Sequence, residues 1–161
     1  FVFPMRLKTA GKKMPVAIVL SAVFFNLVNA GLNGFYLSFY ETYTNEDFTS
    51  WHFLAGLSIF LAGAFVNLKS DHMLISLRKP GEVGYKIPKG FLFEFVSCPN
   101  HFGELLQWGG FALMAWNLPA ATFFVWTAAN LIPRSLDHHQ WYKEQFSDYP
   151  GDRKAIIPGV L

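Results

Sequence analysis

Three long intervals of the chain, Met14–Tyr40, Phe53–Leu68 and Leu105–Pro133, contain no Asp, Glu, Lys or Arg. The polar residues fall between them. The first interval predicts a helix long enough to cross a bilayer, for which roughly 20 apolar residues are needed. Asn26, Asn29 and Asn33 lie on it at i, i+3 and i+7, so they share a face that should turn away from lipid. That face serves either helix packing or a ligand cavity. A second helix is expected over about Trp51–Lys69, with Trp51 at a membrane interface. Asn67 and Asp71, at i and i+4, share a face at its far end. The third interval is harder to place. Leu105–Trp116 is too short to cross, and Asn117-Leu118-Pro119 reads as a break with Pro opening a new helix. Either one kinked helix runs over Leu105–Pro133, or the third helix starts back at about Pro99. In the second case a fourth helix begins at about Pro119, passes Ile132 and continues as a more polar segment to about Phe146.

Charge chooses between these. Arg6, Lys8, Lys12 and Lys13, then Lys69, Arg78, Lys79, Lys86 and Lys89, mark two cytosolic stretches. Glu41, Glu46 and Asp47 form an acidic loop on the other side. The tail, with Arg134, Lys143, Arg153 and Lys154, is again basic, so the number of crossings is even. Four helices fit and three do not. The predicted fold is therefore all-α, a single polytopic transmembrane helical bundle over residues 1–161 with four membrane-spanning helices. A soluble helical bundle is the alternative. Composition weighs against it: 52% hydrophobic and 18% aromatic residues leave 15% charged, against roughly 25% in soluble domains. The net charge of +2 gives no reason to expect nucleic acid as a partner. A single cysteine, Cys98, excludes an internal disulfide. The opening Phe1-Val2-Phe3-Pro4 reads as the interior of a longer protein.

Three polar stripes then coincide in depth at the cytosolic edge. Asn67 and Asp71 end the second helix, Asn100 and Glu104 start the third, and Arg134, His138 and Tyr142 (i, i+4, i+8) follow the fourth. Beside them lies a turn-rich loop of about twenty residues carrying Arg78 and Tyr85, long for a plain connector. Guanidinium groups match phosphate, amides and carboxylates match carboxamide and ribose hydroxyls, and aromatic faces stack on flat rings. A large phosphorylated ligand suits this set, and both a nicotinamide dinucleotide and coenzyme A qualify. The plainer readings are surface ion pairs for Asp71 with Lys69 or Arg78, a Glu104–Arg134 pair between helices, and packing roles for His52 and His101. His138-His139 lacks the partners of a metal site. No Gly-x-Gly-x-x-Gly occurs, so a soluble dinucleotide fold is not indicated.

Asn67-x-x-x-Asp71-His72, Leu77-Arg78-Lys79-Pro80-Gly81-Glu82, Gly84-Tyr85-Lys86-Ile87-Pro88-Lys89-Gly90, Asn100-x-x-Gly103-Glu104 and His138-His139-x-x-Tyr142 resemble the C-terminal part of steroid 5α-reductases. So does the terminal Phe146-x-Asp148-Tyr149-Pro150-x-x-Arg153-Lys154-x-Ile156-Ile157-Pro158. The resemblance covers essentially the whole chain. It implies an integral membrane enzyme of seven helices, of which this chain supplies the last four. It implies NADPH bound from the cytosol by Asn67, Asp71, Arg78, Tyr85, Asn100, Glu104, Arg134, His138, Tyr142 and Arg153, and no metal. The implied reaction is reduction of the C4–C5 double bond of a 3-oxo-Δ4-steroid by hydride transfer. The carbonyl-polarising Tyr and its Glu are expected upstream of Phe1, so no catalytic residue is assigned within the chain. Lys12 or Lys13 stands only loosely where a cofactor-binding Arg is expected. An enoyl-CoA or polyprenol reductase of the same superfamily, and a non-catalytic membrane fragment, are the alternative readings. The implied location is the endoplasmic reticulum or a bacterial inner membrane, with the cofactor site and C-terminus cytosolic.

Overall fold

A computed structural model describes residues 15–77 and 84–161. Among them are four α-helices and no strand. These are α1 (Val16–Phe39), α2 (Trp51–Ser76), α3 (Pro99–Ala115) and α4 (Leu118–Gln145). Two short 3₁₀ turns, Asp47–Thr49 and Phe91–Glu94, sit in the connections. α1 and α2, of 24 and 26 residues, are long and apolar enough to cross a membrane.

Local chemistry sets the boundaries. Ser50 caps α2 by accepting from the Phe53 N–H, and the Asn117 side chain caps α4 by accepting from the Ala120 N–H. α3 begins on Pro99, where a missing N–H costs nothing. It ends on Trp116, whose φ of 49° places it in the left-handed region and turns the chain into α4. The expected break at Asn117-Leu118-Pro119 and the early start of α3 are therefore both present, and the single kinked helix is not. α4 then continues unbroken through Pro133, joining the apolar and polar parts of the expected fourth helix. α2 runs further than expected, to Ser76. In its polar turn the Lys69 ammonium lies 4.1 Å from the centre of the Phe91 ring. That contact takes Lys69 away from the ion pair with Asp71 considered above.

α2 and α3 form the tightest seam. Gly56, Gly63 and Ser70 recur every seven residues on α2 and are buried. Gly103 and Gly110 repeat the spacing on α3. A Cβ on Gly63 would lie 2.6 Å from the Gly103 carbonyl oxygen, and one on Gly110 would lie 2.5 Å from the Phe60 nitrogen. The two backbones touch, as small residues permit between membrane helices. α4 closes on α3 through Leu105, Leu131 and Ile156, with Phe102, Phe124 and Ile132 packed around them. α1 has no buried residue and meets α4 through Phe25, whose ring lies 5.5 Å from Trp126 and 6.3 Å from Phe123.

The expectation that all three α1 amides turn inward is corrected at Asn26. It is exposed and satisfies itself on the Ala22 carbonyl at 2.8 Å, whereas Asn29 and Asn33 are partly buried towards α4. Beyond α4 the tail folds back beneath the start of α3. Lys154 bridges to Val96, and the Cys98 N–H donates to the Ala155 carbonyl at 3.0 Å.

Candidate functional site

Because α2 and α3 touch at Gly63 and Gly103, the next helical turn brings Asn67 to Asn100. The Asn67 amide donates to the Asn100 carbonyl at 3.0 Å. The Asn100 side chain bonds Asp71, and the half-buried Glu104 lies close enough to Asp71 for their charges to repel. These four residues form one cluster, as their spacing implies. Among the described residues no ion pair joins Glu104 to Arg134, so the carboxylate is left with its amide and carboxylate neighbours.

The second cluster stands across α3. Tyr85, Arg134, Asp137, His138, Trp141 and Tyr142 line an open cavity of about 590 Å³. Arg134 and His138 are exposed to it, and Tyr85 meets Trp141 at 4.7 Å, edge to face. His101, next to Asn100, connects the clusters: its ring lies 6.2 Å from that of His138 and feels the charge of Arg134. Its Nδ1 is 2.7 Å from the Ser135 hydroxyl, which already donates to the Leu131 carbonyl at 2.8 Å. Ser135 has one proton, so His101 donates from Nδ1 and keeps Nε2 as an acceptor. Cys98 also bonds Ser135, and burial pushes its thiol up to about 12, so it is no nucleophile.

Arg78 lies outside the described residues. Arg153 is described and is buried, 3% exposed. Its guanidinium donates to the Pro88 carbonyl at 3.1 Å, approaches Glu94 at 3.9 Å and stacks on Tyr149 at 5.3 Å. It thus anchors the loop that carries Tyr85 and does not line the open cavity. Glu94 in turn accepts from the Gly90 N–H. Among the described residues no group of His, Cys, Asp and Glu is arranged to hold a metal.

Two further features were not read from the sequence. Trp108 follows Glu104 by one helical turn, and its ring meets Phe123 edge to face at 4.5 Å. The i, i+4, i+8 series Asn100, Glu104, Trp108 was there to find, but a tryptophan inside an apolar run reads as part of the span. Phe123 in turn lines a second, apolar cavity of about 510 Å³ between α1 and α4. Phe123 and Arg134 are eleven residues apart, close to three helical turns, so the two cavities follow one side of α4.

A family profile for 3-oxo-5-alpha-steroid 4-dehydrogenase matches residues 12–161. The chain belongs to that family. It is 47% identical to steroid 5-alpha-reductase DET2 of Gossypium hirsutum over 98% of this chain and 63% of that protein. With 3-oxo-5-alpha-steroid 4-dehydrogenase 1 it shares 45% identity in Rattus norvegicus, over 99% of the chain and 61% of the relative. With the Homo sapiens protein of the same name it shares 43% identity, over 94% and 59%. The chain thus spans about three-fifths of the length of these relatives.

Proposed function

We propose that this chain is the cofactor-binding part of an NADPH-dependent reductase acting on the C4–C5 double bond of a 3-oxo-Δ4-steroid. The observation that carries the proposal is the pairing of a polar cavity with an apolar one along α4, in a chain of this family. The donor set of the polar end fits a dinucleotide phosphate. Arg134 supplies a forked cation that has no carboxylate partner among the described residues, His138 and His101 supply imidazoles, and Tyr85, Trp141 and Tyr142 supply rings. On the α2–α3 side, Asn67, Asp71, Asn100 and Glu104 match the carboxamide and sugar hydroxyls of such a ligand. Arg78 is assigned to phosphate with them. Arg153 serves the site by holding the Pro88 turn and hence Tyr85.

When bound, NADPH supplies the hydride that saturates the enone. The residues of this chain orient the cofactor, neutralise its phosphates and keep water from the reacting end. Phe123, on the wall of the apolar cavity, packs edge to face on Trp108, one turn from Glu104, and a dry site strengthens every polar contact inside it. The tyrosine and glutamate that polarise the substrate carbonyl belong to the upstream segment. The same reading makes the whole protein a seven-helix membrane enzyme of the endoplasmic reticulum or an inner membrane. All four helices here span, and the cofactor site and C-terminus are cytosolic.

The test uses the full-length protein in membranes, with NADPH consumption followed against testosterone, progesterone or a similar Δ4-3-ketone. Turnover with one of these is expected. Unchanged NADPH with every such steroid, alongside turnover of an enoyl-CoA, would replace the steroid with that substrate class.

A further inference from the structure

The apolar cavity between α1 and α4 contains an unspent amide. Its walls are largely hydrocarbon and aromatic: Phe25, Leu32, Leu118, Phe123 and Trp126 line it. Asn29 and Asn33 face the same space. Asn33 spends its Nδ2 on Asn29, at 3.0 Å to the backbone carbonyl and 3.1 Å to Oδ1. Asn26 and Asn130 likewise donate to the carbonyl four residues back, each at 2.8 Å. Thr122, another polar lining residue, donates its hydroxyl to the Leu118 carbonyl at 2.8 Å. Asn29 departs from this pattern. Among the described residues its Nδ2 makes no hydrogen bond, and neither does the Asn33 Oδ1. One donor and one acceptor are therefore left over in a bonded pair of amides that lines an apolar space.

Amides at membrane depth are costly unless they find a polar partner, and a lipid chain has none to offer. A hydroxyl is the group that answers both at once, accepting from Asn29 Nδ2 and donating to Asn33 Oδ1. We infer that the Asn29–Asn33 pair is a specificity site for a hydroxyl on an otherwise apolar, flat ligand. Resting on the function proposed above, this is the oxygenated end of the steroid, remote from the enone. Phe25 meets Phe123, which touches Trp108, so the end of the cavity nearest the polar cluster is at Phe25. Asn29 and Asn33 lie one and two turns further along α1, about 6 and 12 Å away. The substrate class is then a steroid carrying a distal hydroxyl, favoured over the same skeleton ending in bare hydrocarbon.

The experiment compares two Δ4-3-ketosteroids that differ only in the distal hydroxyl, on the full-length protein reconstituted in nanodiscs. Equilibrium binding and steady-state kinetics are both measured. The hydroxylated steroid should bind about tenfold more tightly, one hydrogen-bonded group's worth of discrimination. The difference should appear in KM more than in kcat. It should collapse in Asn29→Leu and Asn33→Leu and persist in the exposed control Asn26→Leu. Equal affinity of the wild-type protein for the two steroids overturns the inference, whatever the variants do. Absence of saturable binding of either steroid, as expected of a cavity filled by lipid, overturns it too. Discrimination in binding without NADPH turnover would sustain the amide site and remove the reductase reading. Turnover without discrimination would do the reverse.

Discussion

Ser97 has one proton and three partners: His139 Nδ1 and the Tyr149 hydroxyl, each at 2.6 Å, and the Lys154 carbonyl at 3.3 Å. The carbonyl can only accept, so Ser97 donates there and receives from Tyr149 and from His139 Nδ1–H. That hub fastens the tail to the start of α3 and fixes which nitrogen of His139 carries the proton. Ser97→Ala should leave the buried Tyr149 hydroxyl unpaired and cost about 1–3 kcal/mol, read as a lower thermal midpoint in detergent. Partial burial, then the Lys143 and Lys154 charges, hold His139 below its ordinary value of 6.5. The unfolded chain therefore takes up the proton first as pH falls. Stability from this group is complete above about pH 6.5 and declines below it. Between pH 7 and 5 the midpoint should drop less steeply in His139→Asn than in the wild type; parallel curves would refute the assignment. None of this was legible from His138-His139 as a pair. Their neighbours on the tail and on α3 separate the two roles, sending His138 to the open cavity and His139 to the structural hub.

At the scale of elements, the glycine seam sets where the site residues stand. A Cβ on Gly103 would lie 2.5 Å from the Asn67 nitrogen and 2.8 Å from the Gly63 carbonyl oxygen. Both contacts are backbone and have no side chain to swing aside. Gly103→Ala should therefore part α2 from α3, stretch the Asn67–Asn100 bond and destabilise by about 1–3 kcal/mol or more. It should also raise the KM for NADPH. Gly31→Ala, whose Cβ would meet nothing within 4 Å among the described residues, serves as the control that tolerates the change. A Gly103→Ala protein with unaltered midpoint and cofactor KM would dissociate the seam from the site. The helices themselves were legible because long charge-free intervals have few other ways to satisfy their backbone. The polar stripes were legible because spacing places Asn67 with Asp71, and Asn100 with Glu104, on single faces. What spacing could not convey was the partner across each interface. The resemblance implied Arg153 as a cofactor contact, but nothing in its spacing showed that its guanidinium also donates to the Pro88 carbonyl and approaches Glu94. Lys69 looked like a mate for Asp71, yet its ammonium lies over the Phe91 ring and, among the described residues, no ion pair joins it to Asp71.

In the whole molecule the two cavities share α4 without sharing residues. Arg134 and Trp126 are eight positions apart, about 12 Å along the axis. Groups so separated, with no common partner, act independently to within about 0.3–0.5 kcal/mol. Arg134→Ala removes charge-assisted bonds and should raise the NADPH KM about ten- to a hundredfold while the steroid KM stays within about twofold. Trp126→Ala should do the opposite, because its ring lines the apolar cavity and stacks on Phe25. The double variant should then show the product of the two losses in kcat/KM. Trp108 offers the contrast. It stands one turn from Glu104 and touches Phe123 on the wall of the apolar cavity, so Trp108→Ala should be non-additive with each of the other two. Strong coupling between Arg134 and Trp126, measured in the same double-mutant cycle, would mean that one ligand group spans both cavities at once. A division into a cofactor end and a substrate end would then fail.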